Sequence, residues 1–244
     1  MTDIITEDVD IPVEDINLKG SIYFTSATPS KAPWIVNLAG FRNHRESYLV
    51  KYFSEKFSQA GYYVLSYDYR GHGETQKETG SNWFEMVPQI FSDIHVVLDW
   101  IETTQINRLL ENKIALFGRS LGGAIILSHG FIDERAKILI ALSARYDYET
   151  IRGRYRAVEE KEGDGLIDKI SPKSFLKKTP LNNQRIMIAH CRDDDTVPFD
   201  NLTHIKEHLG LDDENVIVFA TGGHTFSGHR EEIFNISMQF LKKL

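Results

Sequence analysis

The chain has 244 residues, 41% of them hydrophobic and 26% charged, the proportions of a folded globule with a sizeable core. Its 28 basic and 35 acidic side chains leave a net charge of −7, which offers no electrostatic footprint for a nucleic-acid backbone or an anionic membrane. The one cysteine, Cys191, excludes an intramolecular disulfide framework and a cysteine metal cluster.

In chain order, residues 1–10 carry four acids and no Lys or Arg, the wrong charge for a leader. No apolar run approaches the roughly 20 residues that span a bilayer, so the expectation is a cytoplasmic protein with no membrane span. Residues 8–13 and 16–25 read as an antiparallel hairpin turning at Glu14 and Asp15. Short apolar runs rich in Ile, Val and aromatics then recur at 34–38, 63–67, 113–117, 136–142, 185–190 and 215–219, and read as strands. Helices are predicted over 48–59, 121–130, 199–209 and 231–243. Another is predicted on the three- and four-residue spacing of Phe84, Val87, Phe91, Ile94, Leu98 and Ile101, beginning near Pro88. This alternation predicts an α/β fold: a mostly parallel eight-stranded sheet with the hairpin at one edge and helices on both faces. It lapses over 143–178, where nine basic and seven acidic residues are interrupted by Gly153, Gly163 and Gly165. With no repeat and no linker in the chain, 1–244 reads as one domain with an insertion at 143–178.

Gly118-Arg119-Ser120-Leu121-Gly122 follows the predicted strand 113–117 and opens a helix. Two glycines there let the chain turn sharply and present the Ser120 hydroxyl above the sheet, at the positive end of the helix. The plainer alternative is a tight turn with a capping serine. A serine nucleophile needs a base and a group that orients the base. Of nine histidines, His224 lies in a Gly-rich loop after the last predicted strand and fits the order nucleophile, acid, histidine of an α/β-hydrolase. His95, His129 and His208 fall within predicted helices, and His72, in a loop bracketed by glycines, precedes Ser120. For the acid, Asp193, Asp194 and Asp195 stand together after the strand 185–190, and at least two of them are expected to serve as a turn or helix cap.

With these motifs in order, the chain resembles the serine hydrolases of the α/β-hydrolase superfamily over essentially its whole length. Asp68-Tyr69-Arg70-Gly71-His72-Gly73-Glu74-Thr75 is similar to the superfamily's D-x-R-G-H-G-x-S/T segment, whose role there is structural. Asp194-Asp195-Thr196-Val197-Pro198 looks like its D-x-x-V-P, a register that implies Asp194 as the acid. Asn37-Leu38-Ala39-Gly40-Phe41 resembles the H-G-F/x turn, with Ala39 where His is usual. The resemblance implies an oxyanion hole made by the backbone N–H groups of Phe41 and Leu121, a Ser120–His224–Asp194 triad, and neither cofactor nor metal. His204 and His208 also match H-x-x-E-H, a zinc pattern with a high false-positive risk, and the hydrolase register already assigns that helix a place.

By position, 143–178 resembles the short cap of small esterases such as cinnamoyl and feruloyl esterases. Its aromatics Tyr146, Tyr148, Tyr155 and Phe175 are candidates to line an apolar pocket. Its arginines at 145, 152, 154 and 156 either meet an anionic substrate group or are solvated and balanced by neighbouring acids. The expectation is a carboxylic ester hydrolase on a small-molecule ester, with room for a homodimer. A thioesterase or a monoacylglycerol or lysophospholipid lipase would use the same residues, and the rival of another class is a non-catalytic binding protein on the same fold.

Overall fold

The structure, a computed structural model, describes residues 3–244. Strands β1 (Ile4–Val13) and β2 (Ile16–Thr25) pair antiparallel along their full length, from Ile4 opposite Thr25 to Val13 opposite Ile16. The turn between them takes the left-handed backbone at Glu14, φ 52°. Then follow β3 (Ala32–Leu38), β4 (Tyr63–Tyr67), β5 (Leu109–Arg119), β6 (Ala136–Leu142), β7 (Ile186–Cys191) and β8 (Val216–Phe219). They form one eight-stranded sheet in the order β1-β2-β4-β3-β5-β6-β7-β8. β2 meets β4 antiparallel, and every pairing from β4 through β8 is parallel. The mostly parallel α/β sheet with an antiparallel edge hairpin is as predicted, apart from strand ends. β5 starts at Leu109 rather than 113, across a register shift against β3 between Ala32 and Trp34.

Residues alternate between the two faces, as strand geometry requires. Ile35, Phe117, Ile140 and Met187 pack with Phe53 and Phe57 of α1 (Tyr48–Gln59) and with Ile233 and Phe240 near the carboxyl end of the chain. Their neighbours Val36, Leu116, Leu139 and Ile188 belong to the core on the other face, with Ile94 and Leu98 of the helix Val87–Thr104 and Leu202 and Ile205 of the helix Asp200–Leu209. The remaining helices are α2 (Gly73–Thr79), α3 (Val87–Thr104), α4 (Leu121–Ile126), α5 (His129–Ile132), α6 (Arg156–Glu162), α7 (Leu166–Ile170), α8 (Asn182–Arg185), α9 (Asp200–Leu209) and α10 (Arg230–Leu241). Among the described residues no helix is long and apolar enough to cross a membrane.

One helix departs from expectation. The predicted 121–130 helix breaks after α4, because Ser128 Oγ donates to the Ala124 carbonyl at 2.7 Å and also lies 3.3 Å from that of Ile125. A serine that satisfies these carbonyls competes with the helical ladder. The backbone at Ser128, φ −114° and ψ −95°, leaves the helix there, and α5 starts afresh at His129.

Candidate active site

Five loops converge at the carboxyl ends of neighbouring parallel strands, the edge at which open α/β sheets carry their sites. They follow β3, β5, β6, β7 and β8, and together with Trp83, Phe84, Val87, Ile90 and Phe91 from the connection after β4 they line one cavity of about 610 Å³.

Ser120 stands between β5 and α4 with φ 58° and ψ −114°, a left-handed conformation that residues with a Cβ adopt only under constraint. The constraint is close packing. A Cβ on Gly118 would lie 2.8 Å from Leu38 Cβ, and one on Gly122 only 2.3 Å from the Leu38 carbonyl oxygen. The glycines of the motif thus let the elbow press against the end of β3, and Ser120 N–H donates to the Leu142 carbonyl at 2.8 Å. The Ser120 side chain is half-buried and lines the cavity. Among the described residues it makes no hydrogen bond to His224, and such contacts often tighten only when substrate is bound.

His224 lines the same cavity. Its Nδ1–H donates to Asp194 Oδ2 at 2.8 Å. Asp194 is buried; its Oδ1 accepts two hydrogen bonds and its Oδ2 one, while the His190 Nε2–H donates to the Val197 carbonyl at 2.9 Å. Oδ1 takes the backbone N–H of Thr196 (3.0 Å) and Val197 (2.9 Å), and Oδ2 takes His224 and lies 3.2 Å from His190 Nε2. Burial alone would raise this carboxyl, but the nearby His190 imidazole and the hydrogen bonds from His224 and Val197 outweigh it and hold it well below the usual carboxylate range. Asp194 therefore stays a carboxylate beside the imidazole.

The other two aspartates differ sharply from it. Asp193 accepts the backbone N–H of Gly222 (3.1 Å) and Gly223 (2.8 Å) and so anchors the loop that carries His224. Asp195 is exposed and accepts from the Thr196 hydroxyl at 3.2 Å. From the opposite side Arg119 Nη1 donates to the His224 carbonyl at 3.1 Å. His190 and Arg119 are supporting residues that the sequence did not point to, and Asp193, expected to serve as a turn or helix cap, holds a loop distant in sequence instead. The available signal was position alone: His190 ends a predicted strand four residues before Asp194, and Arg119 directly precedes the serine.

Phe41 and Leu121 also line the cavity, and among the described residues neither backbone N–H is taken up by a hydrogen bond. The Phe41 turn is held by Tyr69, whose hydroxyl donates to the Ala39 carbonyl at 2.9 Å, and by the Phe41 ring packing 4.1 Å from that of Trp83, centroid to centroid. The segment from Asp68 serves the scaffold. Asp68 accepts from Arg45 Nη1 (2.7 Å) and from the Glu74 N–H (2.8 Å), while Arg70 grips Asp93 through two N–H bonds of 2.8 and 3.1 Å. His72 sits within this buried segment with Nδ1 3.0 Å from the Arg70 carbonyl, away from the cavity lining.

The segment 143–178 contributes a 3₁₀ stretch, Tyr148–Tyr155, and of the four aromatics named from sequence only Tyr148 and Tyr155 line the cavity. Tyr146 instead meets His208 Nδ1 at 2.9 Å through its hydroxyl, between His204 and His208, and Phe175 packs on His129. The arginines divide as well. Arg152 is exposed and paired with Glu149 and Glu159, whereas Arg145 and Arg154 face the cavity. A Cβ at Gly222 would approach Cys191 Sγ to 3.1 Å, and that thiol is fully buried. Burial first, then the charges of Asp193 and Asp194, push it up to about 11. A thiol reagent such as Ellman's is thus expected to leave Cys191 untouched in the native protein and to titrate it in denaturant; stoichiometric labelling of the native protein would contradict its burial.

Comparison with solved structures gives Est1E from Butyrivibrio proteoclasticus with ferulic acid bound at a TM-score of 0.75 and 18% identity, covering 96% of this chain and 98% of that one. The uncomplexed acylaminoacyl peptidase of Pyrococcus horikoshii gives 0.74 at 21% identity over 99% of this chain and 42% of that one. The thermophilic esterase Est2 of Thermogutta terrifontis gives 0.73 at 16% identity over 98% and 94%. These likenesses establish the fold. Two curated relatives, each an uncharacterized 31.7 kDa Escherichia coli protein from the traX-finO intergenic region, are 31% identical over 144 residues, 57% of this chain. The chain spans about half the length of these relatives, 48% of each. Residues 30–160, more than half of the chain, match the family described as serine aminopeptidase, S33 (Hydrolase_4), and the protein belongs to that family of α/β-hydrolases.

Proposed function

We propose that the protein is a serine hydrolase of carboxylic esters, with Ser120 as nucleophile, His224 as general base and then acid, and Asp194 holding the imidazole. One observation carries this: a serine in a constrained elbow shares a cavity with a histidine whose Nδ1 is 2.8 Å from a buried, ionised carboxylate. With Nδ1–H committed to Asp194, Nε2 is the lone-pair nitrogen free to take the Ser120 proton. Ser120 Oγ attacks the ester carbonyl, and the charge that develops on its oxygen meets the N–H groups of Leu121, at the start of α4, and Phe41. One such donor contributes on the order of 3 kcal/mol to the transition state. His224 then protonates the departing alcohol, and water activated by the same nitrogen releases the acid from Ser120.

The segment 143–178 acts as the cap of this pocket, placing Tyr148, Ile151 and Tyr155 against the substrate. The matching experiment is a p-nitrophenyl ester series from acetate to decanoate together with a fluorophosphonate probe. Turnover and covalent labelling of Ser120 are expected; absence of both in the wild-type protein rules the proposal out.

A further inference from the structure

The buried and half-buried arginines of the protein differ in how their charge is met. Arg45, Arg70 and Arg135 each pair with carboxylates, of Asp68 and Glu74, of Asp93 and Glu14, and of Asp133 and Asp99 respectively. Arg185 spends its N–H groups on the carbonyls of Phe131, Asp133 and Ala136. Arg119 and Arg145 differ from all of these. Among the described residues neither has a carboxylate within 4.0 Å, and both line the Ser120 cavity.

Arg145 is nine-tenths buried, yet among the described residues its guanidinium donates only to the Thr150 hydroxyl (3.1 Å) and the Thr196 carbonyl (3.2 Å). Among the same residues Arg119 donates only to the His224 carbonyl. Most of their N–H donors remain over, and the charge of Asp194, which acts on Arg119, does so from beyond ion-pair distance. A cation removed from water without a counter-charge is unfavourable, and burial pulls the Arg119 guanidinium below its ordinary value. The exposed Arg42 and Arg154 complete the charge of the cavity, whose described lining holds four arginines and no Asp or Glu, in a protein of net charge −7. On their far side Arg145 and Arg154 share a second hollow with Asp147, Asp195 and Asp200, none of which comes within ion-pair distance of either. The cavity lining also includes the apolar Trp83, Val87, Ile90 and Phe91.

We propose that the ester cleaved here is amphiphilic and carries an oxyanion group, a carboxylate or a phosphate, held by Arg119 and Arg145 while its apolar part lies on the α3 side. This rests on the hydrolase function proposed above and specifies its substrate class. Guanidinium forks bind such groups in two-point fashion, and a dry wall strengthens the attraction. The cavity field also draws anions in ahead of neutral esters.

The test compares p-nitrophenyl hemisuberate and p-nitrophenyl 7-phosphonoheptanoate with the neutral p-nitrophenyl suberamate, and 4-carboxyphenyl with 4-carbamoylphenyl octanoate. The first set puts the anion on the acyl part, carboxylate against phosphonate, and the second puts it on the leaving group. In at least one set kcat/KM is expected to favour the anion by about tenfold or more, the scale of one hydrogen bond to a charged group. The ratio should fall toward one in Arg145→Gln and decline with added salt. Should Arg145→Gln fail to fold, Arg154→Gln carries the test, because its exposed side chain makes no hydrogen bond among the described residues. Equal kcat/KM for anionic and neutral esters in both sets overturns the inference and leaves the hydrolase intact. If none of these esters is turned over while the fluorophosphonate probe still labels Ser120, calorimetry of suberate against suberamide on Ser120→Ala decides the inference. Tighter binding of suberate upholds it, and equal binding or none overturns it.

Discussion

Ser120→Ala is expected to abolish fluorophosphonate labelling and to lower kcat by roughly six orders of magnitude, the scale on which removal of a triad nucleophile acts. The fold should survive. The strain at φ 58° belongs to any residue with a Cβ, so alanine inherits it unchanged, and the Ser120 N–H bond to the Leu142 carbonyl is made by the backbone. The comparison is clean because the side chain is half-buried against the cavity and makes no hydrogen bond among the described residues that alanine would orphan. Labelling that persists in Ser120→Ala would transfer the nucleophile elsewhere.

Asp194→Asn is expected to lower kcat by about four orders of magnitude, the cost of losing the imidazole's correct tautomer. The hydrogen bonds Asp194 accepts all come from N–H donors, Thr196 and Val197 on Oδ1 and His224 on Oδ2. An asparagine must turn its own NH₂ toward one of those two sides, and neither orientation satisfies both. Thermal stability should fall with it, by about 1–3 kcal/mol for each donor left without an acceptor. The sign with pH follows from the depressed carboxyl: its contribution is full above the ordinary value of 3.8 and is lost as pH falls toward the folded value. Melting curves of wild type and variant should therefore converge in acid. Asp193→Asn weakens the hold on Gly222 and Gly223 and is expected to cost roughly tenfold, one charge-assisted bond, while Asp195→Asn stays near wild type. Equal losses at all three positions would refute the assignment of Asp194.

The likeness between expectation and fold is uneven along the chain for physical reasons. Strand and helix types were legible because Ile35 and Val36, or Leu116 and Phe117, must face opposite cores, and that alternation is written locally. The end of the 121–130 helix was not, since whether Ser128 bonds to water or to the Ala124 carbonyl depends on its burial under the sheet. Within residues 143–178 the four aromatics were indistinguishable by type, and only packing separates Tyr148 and Tyr155, on the cavity, from Tyr146 and Phe175.

The same division holds at the site. Taken alone, the sequence determined the order of the elements, the glycine-bounded turn at Ser120 and the loops that carry the acidic run and His224, because each depends on residues within one or two turns of chain. Tertiary structure alone decided that His224 faces Asp194 while Asp193 anchors the glycine loop, and that Arg119 and Arg145 have no carboxylate at ion-pair distance among the described residues. Those relations join residues that lie as much as 105 positions apart, as Arg119 and His224 do, and strand order rather than spacing sets their distances. The net charge of −7 is a sum over the whole surface and is blind to a cavity lined by four arginines.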